Sequence, residues 1–166
     1  MYRKIDDFLS DWENEALFTI KIFSNISEEV KGLKPTENLR TLERMAWHIT
    51  QSLTEMLFRT GIIESDLLEN EPIPGSMVEI RNIYRENSDA LLSLIPAHWK
   101  DEDLTERIDV YGQQWERRKI LSVLVKHQAH HRGQMTALMR LNGLVVPGTY
   151  GPSKEEWGKF GMKAHE

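Results

Sequence analysis

The sequence predicts an all-α protein in which four helices pack as a bundle. Four long segments place apolar residues three and four positions apart, the spacing that lines one face of a helix. Glycine- and proline-containing stretches separate these segments. The chain has 166 residues, of which 40% are hydrophobic, so it can bury one sizeable core. We therefore interpret residues 1–166 as a single domain.

The first two helices are predicted over residues 3–24 and from Thr41 to Gly61. The apolar face of the first has Ile5, Phe8, Leu9, Trp12, Ala16, Ile20 and Phe23. Thr41 is a candidate N-cap of the second helix, because its hydroxyl can accept a hydrogen bond from a free amide of the first turn. The apolar face of this helix has Leu42, Met45, Ala46, Ile49, Leu53, Met56 and Leu57. Each helix thus has one face suited to a core.

The third helix is predicted to begin after Ser76. Ser76 and Glu79 have the spacing of a capping box, in which each side chain accepts from the other's backbone amide. We expect this helix to end near Ile95, because Pro96 follows and lacks an amide donor. Residues 98–114 lose helical periodicity and predict a long connection that has room for a short hairpin.

The fourth helix is predicted from Trp115 to Asn142, with Gly143 as its C-cap. Its apolar stripe has Ile120, Leu124, Leu138 and Leu141. From Pro147 onward the tail is expected to be mostly irregular.

Composition excludes several classes of function. The chain has no cysteine, which rules out disulfides, thiolate metal ligands and a cysteine nucleophile. Its formal charge of −5, with mixed signs along the chain, argues against a nucleic-acid-binding surface. It has neither an apolar run of about 18 residues nor the apolar stretch of a signal peptide. We expect a cytoplasmic protein that binds neither membranes nor nucleic acid.

Two histidines occupy the centre of the apolar stripe on the fourth helix. At about 100° per residue, His127 and His131 lie within about 20° of the direction of Ile120. Imidazoles four residues apart on a helix can bind one cation together. Without partners, their burial would cost about 1–3 kcal/mol for each unsatisfied group. The pattern leaves two interpretations open: a metal site, or core histidines that bond to carbonyls or water.

Other residues near this pair are candidates for supporting roles. His130 lies at the flank of the stripe, beside the pair or at the surface, while Arg132 points further away and could hold a substrate. Gln134 lies at the edge of the stripe, where it could orient a histidine by hydrogen bonding. A glycine in a helix interior costs about 1 kcal/mol relative to alanine. Its presence at position 133 therefore predicts a tight helix contact, where a side chain would not fit. His48 flanks the apolar face of the second helix and can complete a three-nitrogen site if the two helices are neighbours.

Several motifs resemble those of the DinB/YfiT family of bacterial four-helix-bundle proteins. They are His127-Gln128-Ala129-His130-His131-Arg132-Gly133-Gln134, Arg140-Leu141-Asn142-Gly143, Val146-Pro147-Gly148-Thr149-Tyr150-Gly151, Ala46-Trp47-His48-Ile49, Pro35-Thr36 and Tyr111-Gly112. The resemblance spans most of the chain. It implies a bundle with long crossover connections that binds one divalent metal ion, nickel or zinc, through His48, His127 and His131. It also implies a homodimer.

The resemblance narrows the function without selecting one reaction. Some family members are S-transferases or isomerases that use small thiols such as bacillithiol, and others, including DNA-damage-inducible ones, have no assigned reaction. A metal-dependent transferase that joins a small-molecule thiol to an electrophile is favoured, because three protein ligands leave coordination positions open. The alternatives are a non-catalytic metal-binding stress-response protein and a metal-dependent hydrolase. The hydrolase is weakened because no His-Glu-x-x-His motif supplies a base.

Overall fold

The computed structural model describes residues 1–164, and four long helices dominate it. These are α1 (Ile5–Phe23), α2 (Leu42–Arg59), α3 (Met77–His98) and α4 (Arg117–Leu141). Short 3-10 helices span Asp101–Thr105 and Trp157–Phe160, and two strands span Arg107–Val110 (β1) and Gln113–Glu116 (β2). Within the described residues, none of the helices is long and apolar enough to cross a membrane.

The main helix contacts join the first two helices of the chain to the last two, including the consecutive pair α2 and α3. Helices α1 and α2 each contact both α3 and α4. Gln128, which is completely buried, joins three of the helices. It accepts a hydrogen bond from the Tyr84 hydroxyl at 3.1 Å and donates to Ile49 O at 3.3 Å and to Ser52 Oγ at 3.2 Å. The expected contact between the second and fourth helices is therefore present, and it positions the site described below.

The predicted caps are confirmed. Thr41 Oγ1 accepts from the Arg44 amide at 3.1 Å, and Ser76 and Glu79 form the reciprocal bonds of a capping box. Gly143 ends α4 with a φ of 73°, a backbone conformation that disfavours other residues. The amides of Gly143 and Leu144 then donate to the carbonyls of Arg140 and Met139, which satisfies the last turn.

The all-α prediction is incomplete, because the connection before α4 contains a two-stranded antiparallel sheet. Arg107 pairs with Glu116 at one end and Val110 with Gln113 at the other. The two residues between the strands, Tyr111 and Gly112, both have positive φ, at 56° and 72°. That geometry matches the twist of a tight hairpin. Helix α4 consequently begins two residues later than predicted.

Two predictions about helix ends and packing were wrong. Helix α3 does not end before Pro96 but continues to His98. The missing proline amide removes only one hydrogen bond near the helix end, and Trp99 N still donates to Ile95 O at 2.9 Å. Gly133 makes no tight contact: it is exposed, and an added Cβ would meet nothing within 4 Å.

Candidate metal centre

Three histidines from two helices converge at one point. The contact between α2 and α4 brings His48 beside His127 and His131, which lie one turn apart on α4. His131 Nε2 lies 3.1 Å from His48 Nε2 and 3.1 Å from His127 Nε2. One ligand atom from each of the three residues lies within 4.8 Å of the other two. We call these residues the histidine group; they could hold a metal ion.

The spacing of the nitrogens suits a transition metal. Two nitrogens 3.1 Å apart, each about 2.1 Å from a common ion, would subtend an angle of about 95° at that ion. This angle lies between the octahedral and tetrahedral values. Without an ion, three ring nitrogens at this distance cannot all be satisfied, because a neutral imidazole nitrogen either donates or accepts one hydrogen bond.

Gln134 determines which nitrogen of His131 is free. His131 Nδ1 lies 2.7 Å from Gln134 Oε1, and an amide oxygen can only accept. The ring proton of neutral His131 is therefore on Nδ1, and the Nε2 lone pair points toward the other two rings. The predicted orienting contact from Gln134 is present. By contrast, His127 Nδ1 is buried and has no hydrogen-bond partner within residues 1–164.

The surroundings keep the histidine group uncharged at neutral pH. Burial is the main reason that the pKa of His48 and that of His127 fall from the usual 6.5 to about 4. Burial also lowers the pKa of His131, while its bond to Gln134 acts in the opposite direction. Because a metal binds the unprotonated ring, low pKa values favour coordination over protonation.

Two neighbours of His131 have different positions from the histidine group. His130 is exposed, and its ring centroid lies 4.9 Å from that of His131. Arg132 faces α1 instead: its guanidinium is buried, pairs with the Glu15 carboxylate and donates to Thr19 Oγ1 at 2.9 Å. Tyr150 from the tail joins the same cluster, since its hydroxyl donates to Glu15 at 2.7 Å. Substrate binding by Arg132 stays a prediction: both terminal nitrogens of its guanidinium are engaged, while its Nε is buried and has no hydrogen-bond partner within residues 1–164.

Two cavities adjoin the histidine group on different sides. The larger, of about 430 Å³, includes His131 and Gln134 in its wall, and the smaller, of about 200 Å³, includes His48. Arg40, which no sequence pattern singled out, lines the larger cavity, and its charge contributes to lowering the pKa of His48 and of His131. Arg40 lies in an irregular loop before α2, so no helical pattern could have pointed to it.

Comparisons with known proteins agree with this architecture. The model of the DinB family matches residues 1–163. The chain is 40% identical to the Bacillus subtilis (strain 168) protein YrdA over 164 residues, which is 99% of this chain and 98% of that protein.

Two solved structures are similar to this fold. A DinB-like protein from Bacillus cereus ATCC 10987 matches with a TM-score of 0.82 and 36% identity, over 89% of this chain and 99% of that one. The DinB-like protein YjoA from Bacillus subtilis matches with a TM-score of 0.68 and 23% identity, over 86% of this chain and 97% of that one; this match bears on the fold alone. On the family match and the identity to YrdA, this chain belongs to the DinB family.

Proposed function

We propose that the histidine group binds one divalent transition-metal ion and that the protein is a metal-dependent enzyme. The observation that carries the proposal is the convergence of three Nε2 atoms from two helices, at 3.1 Å for two of the three pairs. Imidazole ligands without thiolates suit nickel and zinc. His131 is prepared for this role by its bond to Gln134, which leaves Nε2 free of a proton.

The number of ligands supports a catalytic site over a purely structural one. Structural zinc sites usually have four protein ligands, whereas catalytic sites have three and keep a position for substrate. A divalent cation held here would lower the pKa of a thiol or water that reaches it and so supply a nucleophile at neutral pH. The cavity that includes His131 in its wall is the route by which we expect a small molecule to approach that position.

We propose thiol transfer as the reaction. The thiol loses its proton to solvent, its sulfur forms a bond to the electrophilic carbon, and the leaving group departs with the bonding electrons. A hydrolase would need a base aimed at water, and of the three carboxylates in the cavity beside His48, those of Glu55 and Asp66 have other partners. Glu55 accepts from the Tyr111 hydroxyl at 2.7 Å, and Asp66 accepts from Thr54 Oγ1 at 2.5 Å. The transferase is favoured because the sequence has no His-Glu-x-x-His motif that would hold a glutamate base beside the histidine group.

Metal binding is tested by calorimetry and thermal unfolding with zinc and nickel. At about 100 times the Kd, a ligand of the native state adds about 2.7 kcal/mol to the free energy of unfolding. Alanine variants of His48, His127 and His131 should lose this increment. His130→Ala and His98→Ala serve as matched controls and should keep it. An equal loss in all five variants would mean nonspecific surface binding and would overturn the proposal.

Catalysis is tested with the metal-loaded protein, bacillithiol or a simpler thiol, and chlorodinitrobenzene as electrophile. Thioether formation that disappears in His131→Ala supports the transferase. In a cobalt-substituted sample, a new near-ultraviolet absorption band on adding thiol would show sulfur reaching the metal. Metal binding without turnover or such a band across a broad panel of thiols would favour the non-catalytic alternative, in which the ion only ties α2 to α4.

A further inference from the structure

The larger cavity has a composition that selects its ligand. It lies between the loop before α2 and the C-terminal half of α4. Its wall is formed by Asn38, Leu39, Arg40, Met45, His131, Gln134, Ala137, Leu138 and Leu141. A volume of about 430 Å³ is within the range of small-molecule sites. The wall therefore has mostly apolar residues and a few polar ones, and it adjoins the histidine group at His131.

The apolar part of the wall has an exposed leucine at its rim. Leu141, the last residue of the predicted apolar stripe, is 67% exposed at the end of α4. Leu39 is partly buried against the core nearby. Exposed apolar surface around a cavity is typical of a binding site, because a ligand with an apolar body removes that surface from water.

Arg40 is the single charged residue of this wall. Its side chain forms no hydrogen bond or ion pair with any residue in the described part of the chain, and it is exposed. A guanidinium offers five donors in a planar fork that fits a carboxylate. Within the larger cavity, then, an apolar surface lies beside a cation that has no hydrogen-bond or ion-pair partner in residues 1–164.

The smaller cavity beside His48 has the opposite charge. Three carboxylates, from Glu55, Asp66 and Glu69, line it together with one guanidinium, from Arg59. An organic anion would be repelled there and attracted to the Arg40 side. The two sides of the histidine group therefore differ in the ligands they can accept.

We propose that the larger cavity binds a small organic anion, with an apolar body against the leucines and a carboxylate on Arg40, so that the substrate reaches the histidine group from the His131 side. The catalytic meaning of this site rests on the proposed function, since a metal at the histidine group would act on the bound molecule. Binding of the anion itself requires only the cavity and Arg40.

The test uses hydrocinnamate and its neutral amide, hydrocinnamide, which share one apolar body. Calorimetry with metal-free and with zinc-loaded protein measures both affinities. The acid should bind about tenfold more tightly than the amide in both forms, because a hydrogen bond to a charged partner is the stronger one. Arg40→Gln should remove this preference and leave amide binding unchanged. Leu141→Ala should lower the affinity for both ligands to a similar extent.

Arg44→Gln is the matched control for charge. Arg44 is also exposed and its charge also acts on His48, but it does not line the cavity and it donates to Gln51 Oε1 at 3.4 Å. This variant should keep the preference for the acid. An equal loss in both arginine variants would reduce the effect to general electrostatics and overturn the proposal.

The remaining outcomes separate the two proposals. If zinc binds but acid and amide bind alike, or if Arg40→Gln keeps the preference in the zinc-loaded protein, the anion site is wrong and the metal site stands. If zinc does not bind while the metal-free protein prefers the acid through Arg40, the anion site stands and the proposed function is wrong.

Discussion

Replacing Arg132 with methionine should destabilise the protein without affecting metal binding. The side chains of Arg132 and Glu15 are 3% and 5% exposed, and they form an ion pair between α4 and α1. Arg132 also donates to Glu15 O at 3.1 Å and to Thr19 Oγ1 at 2.9 Å. Methionine fills a similar volume but removes the cation, so the Glu15 carboxylate stays buried with fewer partners.

The expected loss in the free energy of unfolding lies near the lower end of the range for a broken buried ion pair. Breaking a buried ion pair by removing one partner costs about 3–5 kcal/mol, since a charge is left uncompensated. Glu15 would still accept from the Tyr150 hydroxyl, which lies 2.8 Å and 2.7 Å from its two oxygens. We therefore expect a loss of about 3 kcal/mol, which for a chain of this size lowers Tm by about 6–12 °C.

Thermal unfolding followed by circular dichroism measures this loss, in metal-free and in zinc-loaded protein. The double variant Glu15→Leu/Arg132→Met should recover part of the Tm, because it removes both charges together. The zinc Kd should be unchanged in both variants. A Tm within about 2 °C of the wild type would refute the reasoning about burial. Weaker zinc or substrate binding at an unchanged Tm would instead assign Arg132 to the site.

Three further predictions follow from the structure. Gln134→Leu should weaken zinc binding about tenfold in calorimetry, because the ring proton of His131 is then no longer held on Nδ1. The control variant Gln51→Leu should keep the wild-type affinity. Equal zinc affinities in the wild type and both variants would remove Gln134 from the site. Gly133→Ala should raise the free energy of urea unfolding by about 1 kcal/mol, since the position is helical and exposed, and a decrease would reveal a hidden contact. Because burial lowers the pKa of His48 and that of His127 to about 4, the unfolded chain binds protons first as pH falls below 6.5. Metal-free protein should therefore lose stability from pH 6.5 toward pH 4, and an equal slope in a His48→Gln variant would contradict this cause.

Local features were predictable because they depend on residues close together in the chain. The four helices follow from apolar spacing, and Thr41, Ser76 and Gly143 cap them as their side chains or backbone freedom predict. The errors lie where tertiary context decides. Pro96 is accommodated in the last turn of α3, and Leu141 follows the helical stripe but lies beyond the core.

For the candidate site, the helical phase identified two of the three histidines. Spacing alone put His127 and His131 on one face of α4, but the choice between a metal pair and core histidines needed a third residue. His48 lies 83 residues from His131 in the chain, and only the packing of α2 against α4 brings their Nε2 atoms to 3.1 Å. The resemblance to DinB proteins predicted the same residue, which the helical pattern had left at a boundary position.

What the sequence determined by itself is the set of helices, their apolar faces and the phase of two histidines, because helical geometry repeats every few residues. What only the tertiary structure decided is which distant side chains meet. Glu15 lies on the buried face of α1, yet its ion-pair partner, Arg132, is 117 residues away in the chain. Arg40 is in a loop without periodicity, and its place beside the histidine group depends on how that loop packs against α4. These contacts arise from the tertiary packing of helices and loops, and no local spacing in the chain encodes them.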